Sequence, residues 1–276
     1  LGSGKDWDLA RRSGGIKILP PNITAYANNR NALYTTRLEA LKSVNNAINR
    51  ITDEYVVLSD CDVICNVDFN DIINDHAKYG ADMTVAVKRM NLTPAQASMN
   101  VLYESDPDGR ITDVLTYPTS FEGEADVSLN IVVMRTEYLH KILLDSIAHG
   151  YTSLTREIIF KNLKYSNYRV YKYDGYFACI SSFADYYTAS MDLIKSPEAR
   201  ASLFEVKNRP VLTKVRNSAP TYYSADSDVK NSLIADGCKI YGHVENSILF
   251  RGVKVGRNTT VKNSILMQDT QTGENV

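Results

Sequence analysis

The stretch Glu54–Phe69, EYVVLSDCDVICNVDF, decides how the chain is read. Tyr55–Leu58 is an unbroken run of apolar and β-branched side chains, the pattern of a buried parallel strand. At its carboxyl end stand Ser59, Asp60, Cys61 and Asp62. In open α/β sheets, ligands bind in the crevice outside the carboxyl ends of the strands. Carboxylates placed there suit a metal-assisted phosphoryl or nucleotidyl transferase, which holds magnesium against phosphate oxygens. The same aspartates equally suit capping of the following turn.

Outward from this run, strands and helices alternate. Ile16–Leu19 reads as a short strand closed by Pro20 and Pro21. From Leu33 to Ile51, apolar residues recur every three or four positions and predict a helix. A helix over Asn70–Lys78 and a strand over Asp82–Val87 follow, and this alternation predicts a mostly parallel sheet flanked by helices. Met99–Glu104 and Arg110–Tyr117 flank Asp-Pro-Asp-Gly, a hairpin signal. Val127–Met134 returns to the sheet, followed by helices over Glu137–His149 and Leu154–Leu163. Tyr168–Tyr173 and Gly175–Ile180 read as strands, and Ser182 caps a helix that ends at Lys195.

With 276 residues and 44% hydrophobic content, the chain can bury more than one core. Its net charge of -1 gives no bulk attraction to nucleic acid or anionic membrane. No apolar run has membrane-span length and the first residues do not resemble a signal peptide. Cys61, Cys65, Cys179 and Cys238 match no zinc spacing, so the expectation is reduced thiols in the cytoplasm. Both ends read as cut inside larger elements.

After Asp228 the texture changes. Ile234, Ile240, Leu249, Val255, Val261 and Met267 follow six-residue steps, with one nine-residue gap read as a step plus a three-residue insertion. Cys238, Val244, Val253, Thr259 and Ile265 fill the fifth place of each step. A six-residue apolar period predicts a β-solenoid. The expected division is therefore a sheet domain over 1–203, a linker over 204–227 and a solenoid over 228–276.

Taken with KVRNSAPTYY (214–223), NSLIADGC (231–238), IYGHVENSILFRGV (240–253) and NSILMQD (263–269), this layout resembles the ADP-glucose pyrophosphorylase family. The resemblance covers nearly the whole chain. It implies a Rossmann-like, mixed-sheet nucleotidyltransferase domain, its N-terminus apparently missing, followed by a left-handed parallel β-helix of hexapeptide repeats. It also implies the family's reaction, in which glucose 1-phosphate and ATP give ADP-glucose and pyrophosphate, with magnesium, in bacterial glycogen synthesis.

That chemistry needs two carboxylates for the metal, a lysine for the sugar phosphate and a glycine-rich nucleotide loop. The family's Ser-Gly-Asp-His becomes Ser59-Asp60-Cys61-Asp62. A direct overlay puts Cys61 at the metal position, and a one-residue insertion would bring Asp60 or Asp62 there. The second metal Asp, in Gly-Tyr-Trp-x-Asp, becomes Cys179. Glu-Lys-Pro becomes Thr116-Tyr117-Pro118, Ser-Met-Gly-Ile becomes Ser128-Leu129-Asn130-Ile131, and the helix start Gly-Thr-Ala-Asp-Ala becomes Thr36-Arg37-Leu38-Glu39-Ala40. The 276 residues contain no glycine-rich nucleotide loop. A neutral thiol is a poor ligand for a hard cation.

SDCDVICNVDF and YFACISS resemble the GlgD-type, non-catalytic branch of the family. This resemblance implies a regulatory subunit with vestigial metal positions at Asp60, Cys61, Asp62 and Cys179. The resemblance implies the same of the sugar-phosphate pocket at Tyr117, Ser128 and Asn130. The chain itself is expected to use no cofactor, with magnesium belonging to a catalytic pyrophosphorylase subunit as partner in a hetero- or homo-oligomer. Two rivals stay open. One is a competent pyrophosphorylase; the other is a hexapeptide acyltransferase, for which His243, placed on the three-residue insertion, would have to serve as base.

Overall fold

In a computed structural model of the chain, residues 16–19, 34–213 and 217–276 are described. Ile16–Leu19 is not a strand, and Pro20, Pro21 and Leu33 lie outside the described residues. Two compact units emerge. One comprises Lys17–Val63 with Val67–Phe177, and the other includes Ile64–Asn66 and Ala178–Val276.

The first unit opens on α1 (Arg37–Ser43) and a single further turn, α2 (Asn45–Ile48). Thr36 starts α1 through a capping box. Its hydroxyl accepts the Glu39 N–H at 3.2 Å, and the Glu39 carboxylate accepts the Thr36 N–H at 3.2 Å. The helix expected from Leu33 therefore begins at Arg37. Next come β1 (Tyr55–Leu58), β2 (Val63–Ile64, whose second residue groups with the other unit), α3 (Phe69–Lys78), β3 (Met83–Leu92) and α4 (Pro94–Ala97). The hairpin of β4 (Val101–Ser105) and β5 (Ile111–Thr116) precedes the long β6 (Gly123–Arg135) and α5 (Thr136–His149). A π-helical segment, Leu154–Phe160, leads to β7 (Tyr168–Lys172).

The sheet runs β5-β4-β6-β3-β7, with β1 also paired to β6. Among the described residues only β3 and β7 are parallel; the β1–β6, β3–β6, β4–β5 and β4–β6 pairs are antiparallel, so the sheet is mixed and mainly antiparallel, not mostly parallel as the strand–helix alternation predicted. Its centre is β3 and β6, which read as near-continuous apolar runs because both faces are covered. Met83, Val85, Val132 and Met134 join a core with Leu38, Leu139 and Leu143. On α3, Ile72 and His76 are buried, and His76 Nδ1 lies 2.9 Å from the hydroxyl of buried Thr84. Burial pushes the His76 pKa down, so the ring is neutral in this core.

One expectation is corrected here. Tyr55–Leu58 is neither parallel nor fully buried. It pairs antiparallel with Val132–Arg135 of β6 and is half-buried along its length. Four apolar residues in a row fit a flank of a sheet as well as its centre, and β6 is the only strand bonded to β1 among the described residues.

The second unit contains β8 (Ala178–Cys179), α6 (Phe183–Lys195) and α7 (Pro197–Phe204). Ser182 caps α6 as expected, its hydroxyl accepting the Asp185 N–H at 3.1 Å. These helices group with the solenoid, not with the sheet domain expected to run to residue 203. Tyr187 on α6 donates its phenol O–H to the Asn263 carbonyl at 2.8 Å. The Asn66 amide donates to the Leu203 and Arg209 carbonyls at 2.7 and 2.9 Å, holding the chain after α7.

The solenoid has three parallel three-stranded sheets. One stacks β9 (Tyr222–Tyr223), β12 (Lys239–Ile240) and β15 (Lys254–Val255). A second stacks β10 (Asp228–Lys230), β13 (His243–Glu245) and β16 (Thr260–Lys262). The third stacks β11 (Leu233–Ile234), β14 (Ile248–Leu249) and β17 (Ile265–Leu266). Since β9 is part of the first sheet, the coils begin inside the segment 204–227 that was read as linker.

Register also revises the repeat. Val229, Val244 and Val261 stack, as do Ile234, Leu249 and Leu266. Val244 therefore forms a face of its own between Ile240 and Leu249, and the nine-residue gap is two short steps without an insertion. The inward residue of the last step is Leu266, while Met267 is 48% exposed. Corners are turned by Asn231, Asn246 and Asn263, all left-handed at φ 42°, 48° and 49°. The Asn231 amide donates to the Asn246 carbonyl oxygen at 2.8 Å, linking successive corners. Gly242 is needed for close approach, because a Cβ there would lie 2.3 Å from the Thr259 carbonyl oxygen.

A charge test separates the two strands. Val133 is fully buried in β6, whereas Val57 sits in half-buried β1. Val133→Asp should lower unfolding free energy by several kcal/mol in urea titrations, and Val57→Asp by clearly less. Equal losses would show that β1 is as enclosed as β6.

Candidate functional site

At the carboxyl end of β1, Ser59, Asp60 and Cys61 are exposed. Asp60 is not free. The capping box at Thr36 sets Arg37 at the first position of α1, from where its guanidinium reaches the strand end. Arg37 Nε donates to Asp60 Oδ1 at 3.1 Å, and Nη2 lies 2.5 Å from Oδ2. The same Nη2 donates to the Asn130 carbonyl at 2.7 Å. This two-pronged geometry gives the stronger, charge-assisted class of contact. One guanidinium thus ties together the start of α1, the end of β1 and the middle of β6.

Asn130 lies at φ 56°, the left-handed region that glycine enters freely. Asparagine is one of the few other residues that tolerates it. A side chain thus stands in a backbone conformation that glycine adopts without cost. Ser128 supports the turn, its hydroxyl accepting the Asn130 N–H at 3.1 Å. Tyr117 is also left-handed, at φ 54°, and its N–H donates to the Asn100 carbonyl at 3.0 Å. A bulky residue in that region stores strain. Buried Tyr103 stands within the influence of Arg37 and Tyr117 and hydrogen-bonds Thr155. Burial, the largest cause, drives its pKa upward, so the phenol stays neutral.

The structure therefore brings Asp60 and Asn130 together around Arg37, with Ser128 hydrogen-bonded to Asn130. Cys61 is an exposed free thiol, and Asp62 buries Oδ1 without a hydrogen-bond partner. Cys179 is carried by the other compact unit, where its sulfur lies 3.5 Å from the Ser181 hydroxyl. The nearby Asp185 carboxylate is committed to capping α6, accepting from Ser181 N–H and the Ser182 hydroxyl.

These donors do not fit magnesium. The ion prefers hard oxygen ligands, and two of the expected positions offer thiols. At Asp60, the neighbouring guanidinium cancels the field that would attract it. Each charge contributes on the order of 4 kcal/mol per unit charge at about 4 Å for an effective dielectric of about 20, with opposite signs. Asp60 is thus closed in an ion pair, whereas Asp62 keeps a buried, unpartnered Oδ1.

His243 departs from its expected place on an insertion. It lies on β13, with Nδ1 3.0 Å from Asp228 Oδ2 and Nε2 3.6 Å from Glu245 Oε2. Lys230 pairs with Asp228 and Lys262 with Glu245, each at 2.9 Å, which completes a ladder of charge across three coils. The Lys230 contact holds Asp228 below its ordinary pKa, and the Lys262 contact does the same for Glu245. Both carboxylates favour the fold above the ordinary carboxylate range and lose that contribution as pH falls through their depressed values. With both ring nitrogens facing carboxylates, His243 serves this ladder and not an acyl-transfer site.

Sequence reasoning noted Arg37 only as part of a changed helix start. It missed Lys88, whose ammonium donates to the carbonyls of Asp174, at 3.0 Å, and Gly175 while facing the Tyr173 ring. These partners lie more than eighty residues away and leave no local signal.

Comparison with known proteins agrees with this architecture. A family model described as GlmU-like, C-terminal hexapeptide matches residues 220–276. The "Glycogen biosynthesis protein GlgD" of Bacillus subtilis is 32% identical over 262 residues, covering 95% of this chain and 64% of that protein. A "Glucose-1-phosphate adenylyltransferase" of Thermotoga maritima is 32% identical, covering 95% of this chain and 61% of the relative. The protein of that name from Bacillus subtilis is 30% identical, at 95% and 67% coverage. The chain thus spans somewhat less than two thirds of the first two relatives.

The ion pair can be measured directly. In a double-mutant cycle of Arg37→Ala and Asp60→Asn, the coupling in unfolding free energy should be about 1 kcal/mol, since the pair is partly exposed. Additive single effects would mean that the contact holds nothing together.

Proposed function

We propose a role that starts from one established fact: the chain belongs to the glucose-1-phosphate adenylyltransferase family. The role is that of a non-catalytic subunit, which modulates a catalytic homologue in bacterial glycogen synthesis. The observation that carries it is the Arg37–Asp60 ion pair, which closes one strand-end carboxylate on a guanidinium. The thiols at Cys61 and Cys179 support the same reading, as does the similarity to a protein named GlgD. In this account magnesium and the transfer of the adenylyl group belong to the partner. Assembly takes place in the cytoplasm. No helix among the described residues is long and apolar enough to cross a membrane.

A contact surface for such a partner lies on the outside of the third solenoid sheet. Leu233, Ile248 and Ile265 stack in register there, and Leu249 points into the core. Phe250 and Met267, directly after β14 and β17, are also exposed. The outer face of the second sheet instead carries Asp228, His243, Glu245 and the paired lysines, which satisfy one another. An apolar face beside self-satisfied polar ones is the expected core of an interface.

The full-length protein mixed with the cognate catalytic subunit should elute as a heteromer in size-exclusion chromatography with light scattering. It should also shift the kinetics of that subunit. Phe250→Asp should weaken assembly at least tenfold, the loss expected for an aromatic anchor. Separate elution across micromolar concentrations, with unchanged kinetics, would end the regulatory reading.

A further inference from the structure

The solenoid also has a cleft of about 480 Å³ at the corner between its first two sheets. Its size falls within the range of small-ligand sites. Two tyrosines line it: Tyr222 on β9 and Tyr241 just after β12, with ring centroids 5.7 Å apart and planes tilted by 51°. Tyr222 is 53% exposed, so much of a large ring faces water.

The remaining lining is mostly polar. Asp226, Arg257 and Asn258 are among its residues, and His243 is held at its edge by the charge ladder. Among the described residues, neither the Asp226 carboxylate nor the Arg257 guanidinium makes an ion pair. Asn258 donates its amide to Asn275 at 3.0 Å, which fixes the orientation of its side chain.

Charge decides between ligand classes. A phosphate would be attracted by Arg257 and repelled by Asp226, so the cleft offers little net pull on an anion. A purely apolar molecule would strip water from both charged groups and leave them unpaired. A neutral polyhydroxyl ligand satisfies both demands. Its C–H faces lie against tyrosine rings, and its hydroxyls both accept from a guanidinium and donate to a carboxylate.

We infer that this corner of the solenoid is a binding site for a neutral saccharide, with Tyr222 and Tyr241 as the platform and Asp226 and Arg257 as the hydroxyl-binding groups. The site is separate from the strand-end pocket and does not depend on the regulatory role proposed above. The source of the sugar is either a free small saccharide or the end of a longer glucan chain.

Calorimetric titration of the intact protein tests this with glucose, maltose, maltotetraose and orthophosphate as probes. Saturable binding of a saccharide in the millimolar range is expected. Tyr222→Ala and Asp226→Asn should each weaken it by roughly three- to tenfold, in line with one lost aromatic or hydrogen-bonding contact. Both side chains are on the surface, and unchanged thermal melting will show that the variants fold. Tighter binding of maltotetraose than of glucose supports a chain end as the source, and equal binding supports a free sugar. No saturable binding of any saccharide up to tens of millimolar would overturn the proposal. So would saccharide binding that neither variant affects, or orthophosphate binding that Arg257→Ala abolishes while saccharides remain inert.

Discussion

The guanidinium of Arg37, closed on the Asp60 carboxylate, is the contact that gives the sheet domain its present character. It joins three elements far apart in sequence, since the same nitrogen also bonds the carbonyl of Asn130. A cation at the first position of a helix opposes the helix dipole by about 0.3–1 kcal/mol. That cost is offset by one charged partner and one carbonyl. The result is a strand end whose Asp60 charge is cancelled from within while Asp62 keeps a buried, unpartnered oxygen, attached to a sheet whose core is intact.

Retention of the core and alteration of the strand end follow different physics. β3 and β6 are buried on both faces, so a polar substitution there costs several kcal/mol and destroys the fold. At the mouth of the crevice, residues are half-buried or exposed, and charge can be rearranged at little cost to stability. Asn130 shows both constraints at one position. Its backbone is held in the left-handed region that the turn requires, while its side chain is free to differ from glycine.

Much of this was legible in the sequence. Strong apolar runs placed β3 and β6, the capping serine placed α6, and the recurrent apolar residues after Asp228 revealed the solenoid. The rest was hidden for identifiable reasons. Tyr55–Leu58 looks the same whether a sheet covers it on one flank or two. The Arg37–Asp60 contact spans 23 residues and has no periodic signature. A strict six-residue count misplaced Met267 and invented an insertion at His243, because solenoid corners can be one or two residues shorter without disturbing the stacking of Val229, Val244 and Val261. Grouping of α6 and α7 with the solenoid rests on contacts such as Tyr187 to Asn263, which composition does not record.

The central claim is that this chain is a family member without the family's chemistry. The most direct measurement is ADP-glucose formation by the purified full-length protein, supplied with magnesium, ATP and glucose 1-phosphate and free of any catalytic homologue. No turnover above background is predicted, because Asp60 is occupied by Arg37 and thiols stand at Cys61 and Cys179. Turnover on the order of 1 per second or faster, an ordinary enzymatic rate, would contradict the account.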